Sequence, residues 1–171
     1  STTLIDRSGN QNTGTLVGNP NCGEEGYYGD AIGFDGVDDY VSIASGDWQN
    51  SETGTVGYHV HLDSLPASGE IFGFKAQTPP AAWPTPTGIG LGITSTGNVV
   101  CAVDDGSSAT TAPTLLTTNL SIEVGTWYHL LCSWDGEELN LYVNGSHSHT
   151  FTPSSSFTMD WDSRSVYLGK F

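Results

Sequence analysis

At 171 residues the chain has the length of one domain, and a domain of that size buries about two thirds of the surface its unfolded form exposes. Nineteen acidic residues against four basic ones (Arg7, Lys75, Arg164 and Lys170) give a formal net charge of −15, a balance that repels nucleic acid and anionic lipid and excludes both as partners. No run of about 18 or more apolar residues occurs, so no membrane insertion is expected. The scarcity of Lys and Arg suits a protein that works in salt, where screening relieves self-repulsion, or one that holds divalent cations.

The first informative segment is a loop. Asp6, Ser8, Asn10 and Asn12 place oxygen ligands at every second position around Gly9, a spacing that lets a curled loop surround one Ca²⁺. A pair of Asx turns needing no ion is the alternative. Beyond it, helical periodicity is nearly absent, and short β-branched and aromatic runs recur between Gly, Asn, Asp and Pro clusters. Eight such runs stand out, at 40–44, 55–62, 70–74, 89–94, 98–103, 127–134, 139–143 and 165–168, a count that suits a jelly roll. Thr96-Gly97-Asn98, the stretch from Trp134 to Leu139, and Val143-Asn144-Gly145-Ser146 each supply residues that tolerate positive φ, so each is expected to close an antiparallel hairpin.

Two stretches break this rhythm. The prolines of 78–88 exclude a central strand and favour a stiff extended loop around Trp83. Residues 104–124, rich in Ser, Thr and Ala, read as a long connection with at most one weak strand near Leu115 and Leu116. No internal repeat and no second domain is evident, so residues 1–171 are expected to form a single domain. Cys22, Cys101 and Cys132 lack metal-type spacing and are odd in number. Cys101 and Cys132 lie in strand-like runs, where buried free thiols are expected and a cross-strand bridge is the alternative.

Four segments taken together carry a resemblance: Ile5-Asp-Arg-Ser-Gly-Asn-Gln-Asn-Thr-Gly-Thr-Leu16, Gly29-Asp-Ala-Ile-Gly-Phe-Asp-Gly-Val-Asp-Asp-Tyr-Val-Ser-Ile43, Thr126-Trp-Tyr-His-Leu130, and Asp135-Gly-Glu-Glu-Leu-Asn-Leu-Tyr-Val-Asn-Gly145. In this order they resemble the laminin G-like jelly roll of the concanavalin A-like lectin and glucanase superfamily, and Asp63-Ser-Leu-Pro66 resembles a turn of the same family. The resemblance implies an all-β, two-sheet antiparallel jelly-roll sandwich of the concanavalin A-like kind. It places Trp127 and Trp134 on a core-facing strand and gives His129 a structural role. It also implies that one strand ahead of the Asp6 loop and a final strand after Tyr167-Leu-Gly-Lys-Phe171 are missing. The expectation is then a longer polypeptide, or a neighbouring chain or second copy that covers the sheet edge.

Such folds host many functions, so chemistry has to be asked of the residues. Glucanases on this fold place acidic residues at alternate positions of one strand, sharing a sheet face. The doublets Glu24-Glu25, Asp38-Asp39, Asp104-Asp105 and Glu137-Glu138 are adjacent instead, and read as turn chemistry and solvated charge. There is no Gly-x-Ser-x-Gly elbow, phosphate-cradling loop or His-Glu-x-x-His. The chain is therefore expected not to be an enzyme. His59 with His61, and His147 with His149, are two apart and would share a strand face, but each pair lacks a third metal ligand nearby in sequence.

For ligand contact, Trp83 in the proline loop is the foremost candidate, with Trp48, Tyr27, Tyr28 and Trp161 in loop-like polar contexts. Aromatic residues so placed stack on sugars and also anchor protein interfaces. The expected function is a non-catalytic extracellular recognition or adhesion module that binds a glycan or another cell-surface ligand, with Ca²⁺ as a candidate cofactor. The alternative is a structural or decoration domain of a virion, fibre or extracellular filament.

Overall fold

The computed structural model describes residues 2–46, 52–67, 70–77, 89–103, 114–152 and 165–169. Fourteen strands run through them: β1 (Thr3–Leu4), β2 (Gly14–Val17), β3 (Asn21–Glu25), β4 (Asp30–Gly33), β5 (Tyr40–Ile43), β6 (Gly54–His61), β7 (Glu70–Gln77), β8 (Ile89–Thr94), β9 (Asn98–Val103), β10 (Thr114–Ser121), β11 (Trp127–Trp134), β12 (Leu139–Val143), β13 (Ser146–Phe151) and β14 (Ser165–Leu168). All eight expected runs are among them. The additional strands are short, polar or glycine-containing, and tertiary pairing rather than propensity makes them strands. The weak strand expected near Leu115 is the full-length β10, held against β9 with a register shift between Thr117 and Ser121.

Two sheets form the sandwich. The larger has the order β1-β2-β5-β14-β7-β8-β9-β10, the smaller β13-β12-β11-β6, and β3 pairs with β4 as a separate two-stranded arm. Every strand pair among them is antiparallel. The three expected hairpins are present, as β8–β9, β11–β12 and β12–β13. At the last of them Asn144 takes φ 51°, and its amide and side-chain oxygen both bond the backbone of His129.

The core follows from strand alternation, because successive side chains point to opposite faces. Ile89, Leu91 and Ile93 of β8 with Val99 and Cys101 of β9 face Leu130, Cys132 and Trp134 of β11 and Leu139, Leu141 and Val143 of β12, and all of them are buried. Cys101 and Cys132 are joined as a disulfide between β9 and β11. This corrects the expectation of two free thiols: the residues lie on the inner faces of opposite sheets, so they meet across the core. Cys22 is free and exposed.

The start of the chain also differs from expectation. A strand does precede the Asp6 loop, since β1 pairs with β2 through Thr3↔Thr15 and Leu4↔Gly14. At the other end β14 is interior, between β5 and β7, while β1 and β10 are the outermost described strands of that sheet.

Candidate functional site

The outer face of the four-stranded sheet is built by the residues that alternate with the core. On β6, Val56, Tyr58 and Val60 pack against the core, which leaves Thr55, Gly57, His59 and His61 pointing outward and exposed. On β11, Leu130, Cys132 and Trp134 are buried, which turns Trp127, His129, Leu131 and Ser133 outward. Pairing then sets the rows, with Trp127 opposite His61 and His129 opposite His59. Trp127 and Trp134 are seven residues apart, an odd spacing, so they occupy opposite faces. Placing both in the core was mistaken for Trp127, which lies half-buried on the outside.

The β3–β4 arm reaches this face. Its tip closes through a 2.8 Å bond from the Gly26 amide to the Gly29 carbonyl, which presents Tyr27 and Tyr28 at the end. Tyr27 stacks on His59 at a centroid distance of 4.9 Å and an interplanar angle of 11°, and lies 6.4 Å from the Trp127 ring. Tyr28 stands edge-on to both Tyr27 and His59. The two tyrosines are 53% and 79% exposed. His59 and His129 are 4.7 Å apart, and His61 lies 5.4 Å from Trp127. The structure thus joins two of the sequence-derived candidates, Tyr27 and Tyr28, to three residues not expected there: His59, Trp127 and His129. Trp48, Trp83 and Trp161 lie outside the described residues.

Further along the same sheet, Tyr142 and His147 meet edge to face at 5.4 Å. His147 and His149 do not share a face as their spacing suggested. A bulge between Leu141 and Tyr142 sets His149 opposite buried Leu141 and His147 opposite outward-facing Tyr142, because one extra residue inverts the alternation.

Two loops carry converging oxygens. In the first, Asp6 is the hub: one carboxylate oxygen accepts from the Ser8 amide at 2.7 Å, and the other from the Ser8 hydroxyl at 2.8 Å and the Asn12 amide at 2.9 Å. These bonds, led by the Ser8 amide, hold its pKa below the ordinary aspartate value. The loop is closed by its own Asx-type hydrogen bonds, with Asp6 as acceptor. In the second loop, Asp35, Asp38 and Asp39 bring one carboxylate oxygen each within 4.8 Å of one another, a group that could hold a metal ion. Asp35 accepts from the amides of Val37 (2.8 Å), Asp38 and Asp39, and the Val37 bond is the chief cause of its lowered pKa. Asp39 is buried, and it accepts from the Asn19 and Asp35 amides.

The acidic doublets form no alternating pair on any described strand. Asp38-Asp39 and Glu137-Glu138 sit in turns, the latter with both amides donating to Asp135, but Asp39 is buried and not solvated charge as expected, because its carboxylate caps the Asn19 and Asp35 amides. Glu24-Glu25 is not in a turn as expected but on the exposed strand β3, where its two side chains diverge. Asp104-Asp105 lies outside the described residues.

A two-sheet jelly roll with a polar, aromatic outer face defines a lectin-type sandwich. The chain belongs to the concanavalin A-like lectin/glucanases superfamily, whose laminin G-type model matches residues 35–170. No curated protein matches it in sequence. Among solved structures it is similar to the binding domain of Paraclostridial Mosquitocidal Protein 1, at 14% identity and a TM-score of 0.70, covering 100% of this chain and 46% of that one. It is also similar to domain 4 of AbnA, an extracellular arabinanase from Geobacillus stearothermophilus, in complex with arabinotriose, at 19% identity and a TM-score of 0.71, covering 97% and 77%. A third is the CBM40 domain of the Ruminococcus gnavus IT-sialidase bound to α2,3-sialyllactose, at 14% identity and a TM-score of 0.57, covering 71% and 65%. The chain spans less than half of the mosquitocidal protein's domain. Three of the similar structures, that of the mosquitocidal protein and two of botulinum neurotoxins, are binding domains. Among the described residues no helix is long and apolar enough to cross a membrane.

Proposed function

We propose that the chain is a non-catalytic, extracellular recognition module that binds glycan on the outer face of its four-stranded sheet, against Tyr27, Tyr28 and Trp127. The observation that carries this reading is the hairpin tip. Tyr28 stays 79% exposed while its neighbour Tyr27 is held flat on His59. The arm therefore offers two perpendicular apolar ring faces beside phenol, imidazole and indole hydrogen-bonding groups. A sugar, with apolar C–H faces and hydroxyl edges, matches that mixture, since such rings offer an apolar body and a polar handle.

The arabinotriose and sialyllactose complexes of two similar folds support a glycan ligand. The net charge of −15 favours a neutral sugar over a sialylated one. The Cys101–Cys132 disulfide fits an oxidising, extracellular setting. Calcium, as an auxiliary ion, would sit in the 35–39 loop or the Asp6 loop.

A glycan array followed by calorimetry with arabinotriose tests the reading. Binding is expected to fall at least tenfold in Tyr28→Ala with the thermal midpoint unchanged, and Trp83→Ala tests the proline loop alongside it. Absence of binding to any glycan, together with ordered self-assembly of the chain, would replace this reading with that of a structural decoration domain.

A further inference from the structure

The His59 and His129 side chains are direct partners across β6 and β11, with rings 4.7 Å apart, and His61 follows on the same face two residues along β6. Cβ atoms of directly opposed residues in an antiparallel pair lie about 4.5–5.5 Å apart, and those on a diagonal about 7–8 Å. Three imidazoles therefore rise from one small triangle on a rigid sheet. We propose that His59, His61 and His129 form a binding site for a divalent d-block cation, with Zn²⁺ as the ion that fits best.

The ligand set decides the class of ion. Three neutral imidazoles suit Zn²⁺, Cu²⁺ or Ni²⁺ and not Ca²⁺ or Mg²⁺, which demand oxygen. Three protein ligands with a fourth position open is an ordinary zinc arrangement, at Zn–N distances of about 2.0–2.1 Å. Asp63 is placed to give outer support: its carboxylate lies 3.4 Å from His61 Nδ1, so on metal binding that nitrogen can donate to it while Nε2 takes the ion. Register supplies the third ligand that the His59/His61 pair lacks in sequence.

In the described conformation the three rings do not converge. His59 lies beneath Tyr27, and His129 turns Nε2 toward Gly57, where an added Cβ would stand 3.5 Å from it. Binding requires these rings to rotate and Tyr27 to lift, so the metal would also reposition the hairpin tip. The site is separate from the all-oxygen Asp35–Asp38–Asp39 group and stands whether or not the face binds sugar.

The test is calorimetric titration of Zn²⁺ alone into the full chain after chelator treatment, in a Cys22→Ser background that removes the exposed thiol. One saturable site is expected. His59→Gln or His129→Gln should abolish it, Asp63→Asn should weaken it by about tenfold, and His147→Gln on β13 should leave it unchanged. Co²⁺ should give the visible bands of a nitrogen-ligated centre in the parent and none in His129→Gln. Should the His129 variant fail to fold, His61→Asn carries the test at a more exposed position. Absence of saturable Zn²⁺ uptake overturns the proposal, as does uptake that survives His59→Gln or His61→Asn, or uptake lost equally in His147→Gln.

Discussion

The hydroxyl of Tyr58 on β6 donates to the Leu91 carbonyl of β8 at 2.7 Å, a bond that crosses from one sheet to the other. It enters where the β7–β8 register shifts between Phe72 and Phe74, and the Gly73 amide meets the same phenol oxygen. A Cβ at Gly73 would collide with the Tyr58 ring, so glycine is required there by close approach. Tyr58→Phe keeps the ring and deletes the bond, and should destabilise the fold by about 1–3 kcal/mol, the cost of leaving interior polar groups unpartnered. Gly73→Ala should cost more, because the ring itself must move. Urea denaturation of both variants checks the order; a Tyr58→Phe variant as stable as the parent would show the bond to be dispensable.

The Cys101–Cys132 disulfide spans 31 residues and joins the two sheets at the centre of the core. Constraining an unfolded loop of that length is worth about 3–4 kcal/mol in the chain-entropy model. Replacing both cysteines with alanine should therefore lower the thermal midpoint by roughly 10 °C for a chain of this size. The comparison to make is scanning calorimetry of the parent with and without reductant beside the double variant. Equal midpoints for oxidised and reduced parent would refute it.

Three carboxylates, Asp6, Asp35 and Asp135, have pKa values lowered chiefly by backbone amide donors: Ser8, Val37 and Glu138 respectively. A lowered native pKa means that the unfolded chain binds more protons in the window between the two values, so stability rises with pH there. Their contribution is complete above the ordinary aspartate range near about pH 4 and is lost as pH falls through the native values. Stability at pH 6 to 8 should be flat with respect to these groups, with a decline beginning below about pH 4. Asp35→Asn should shrink that decline when unfolding is followed by circular dichroism across the acid range.

Much of this architecture was legible because alternation and turn chemistry are local signals. The runs at 89–94, 127–134 and 139–143 carry their own apolar face, and Asn144-Gly145 marks its own turn. What escaped depended on partners remote in sequence. Strand β3 has no apolar face, since every residue of Asn21–Glu25 is exposed, so its pairing with β4 was invisible and with it the placement of Tyr27 and Tyr28 over His59. The outward position of Trp127 was available from parity alone: it is an odd number of residues from Trp134, and whichever faces the core excludes the other. The bulge that separates His147 from His149 leaves no mark in composition, and the facing of Cys101 and Cys132 is a property of how two sheets stack.

Calcium offers a discrimination between the two oxygen-rich loops. The 35–39 loop brings three carboxylates within 4.8 Å, so it concentrates like charge that a divalent cation would relieve, and calcium affinity rises with the number of charged ligands. The Asp6 loop offers one carboxylate, whose two oxygens already accept from Ser8 and Asn12. Added Ca²⁺ should accordingly raise the thermal midpoint of the chelator-treated protein, and Asp38→Asn should remove that rise. Asp6→Asn should lower the midpoint without calcium, because the loop loses its hub, yet keep the calcium-dependent rise intact. Differential scanning fluorimetry of the three proteins with and without Ca²⁺ reads both effects at once. A rise abolished by Asp6→Asn and untouched by Asp38→Asn would move the ion to the first loop, and no rise in the parent would remove calcium from both.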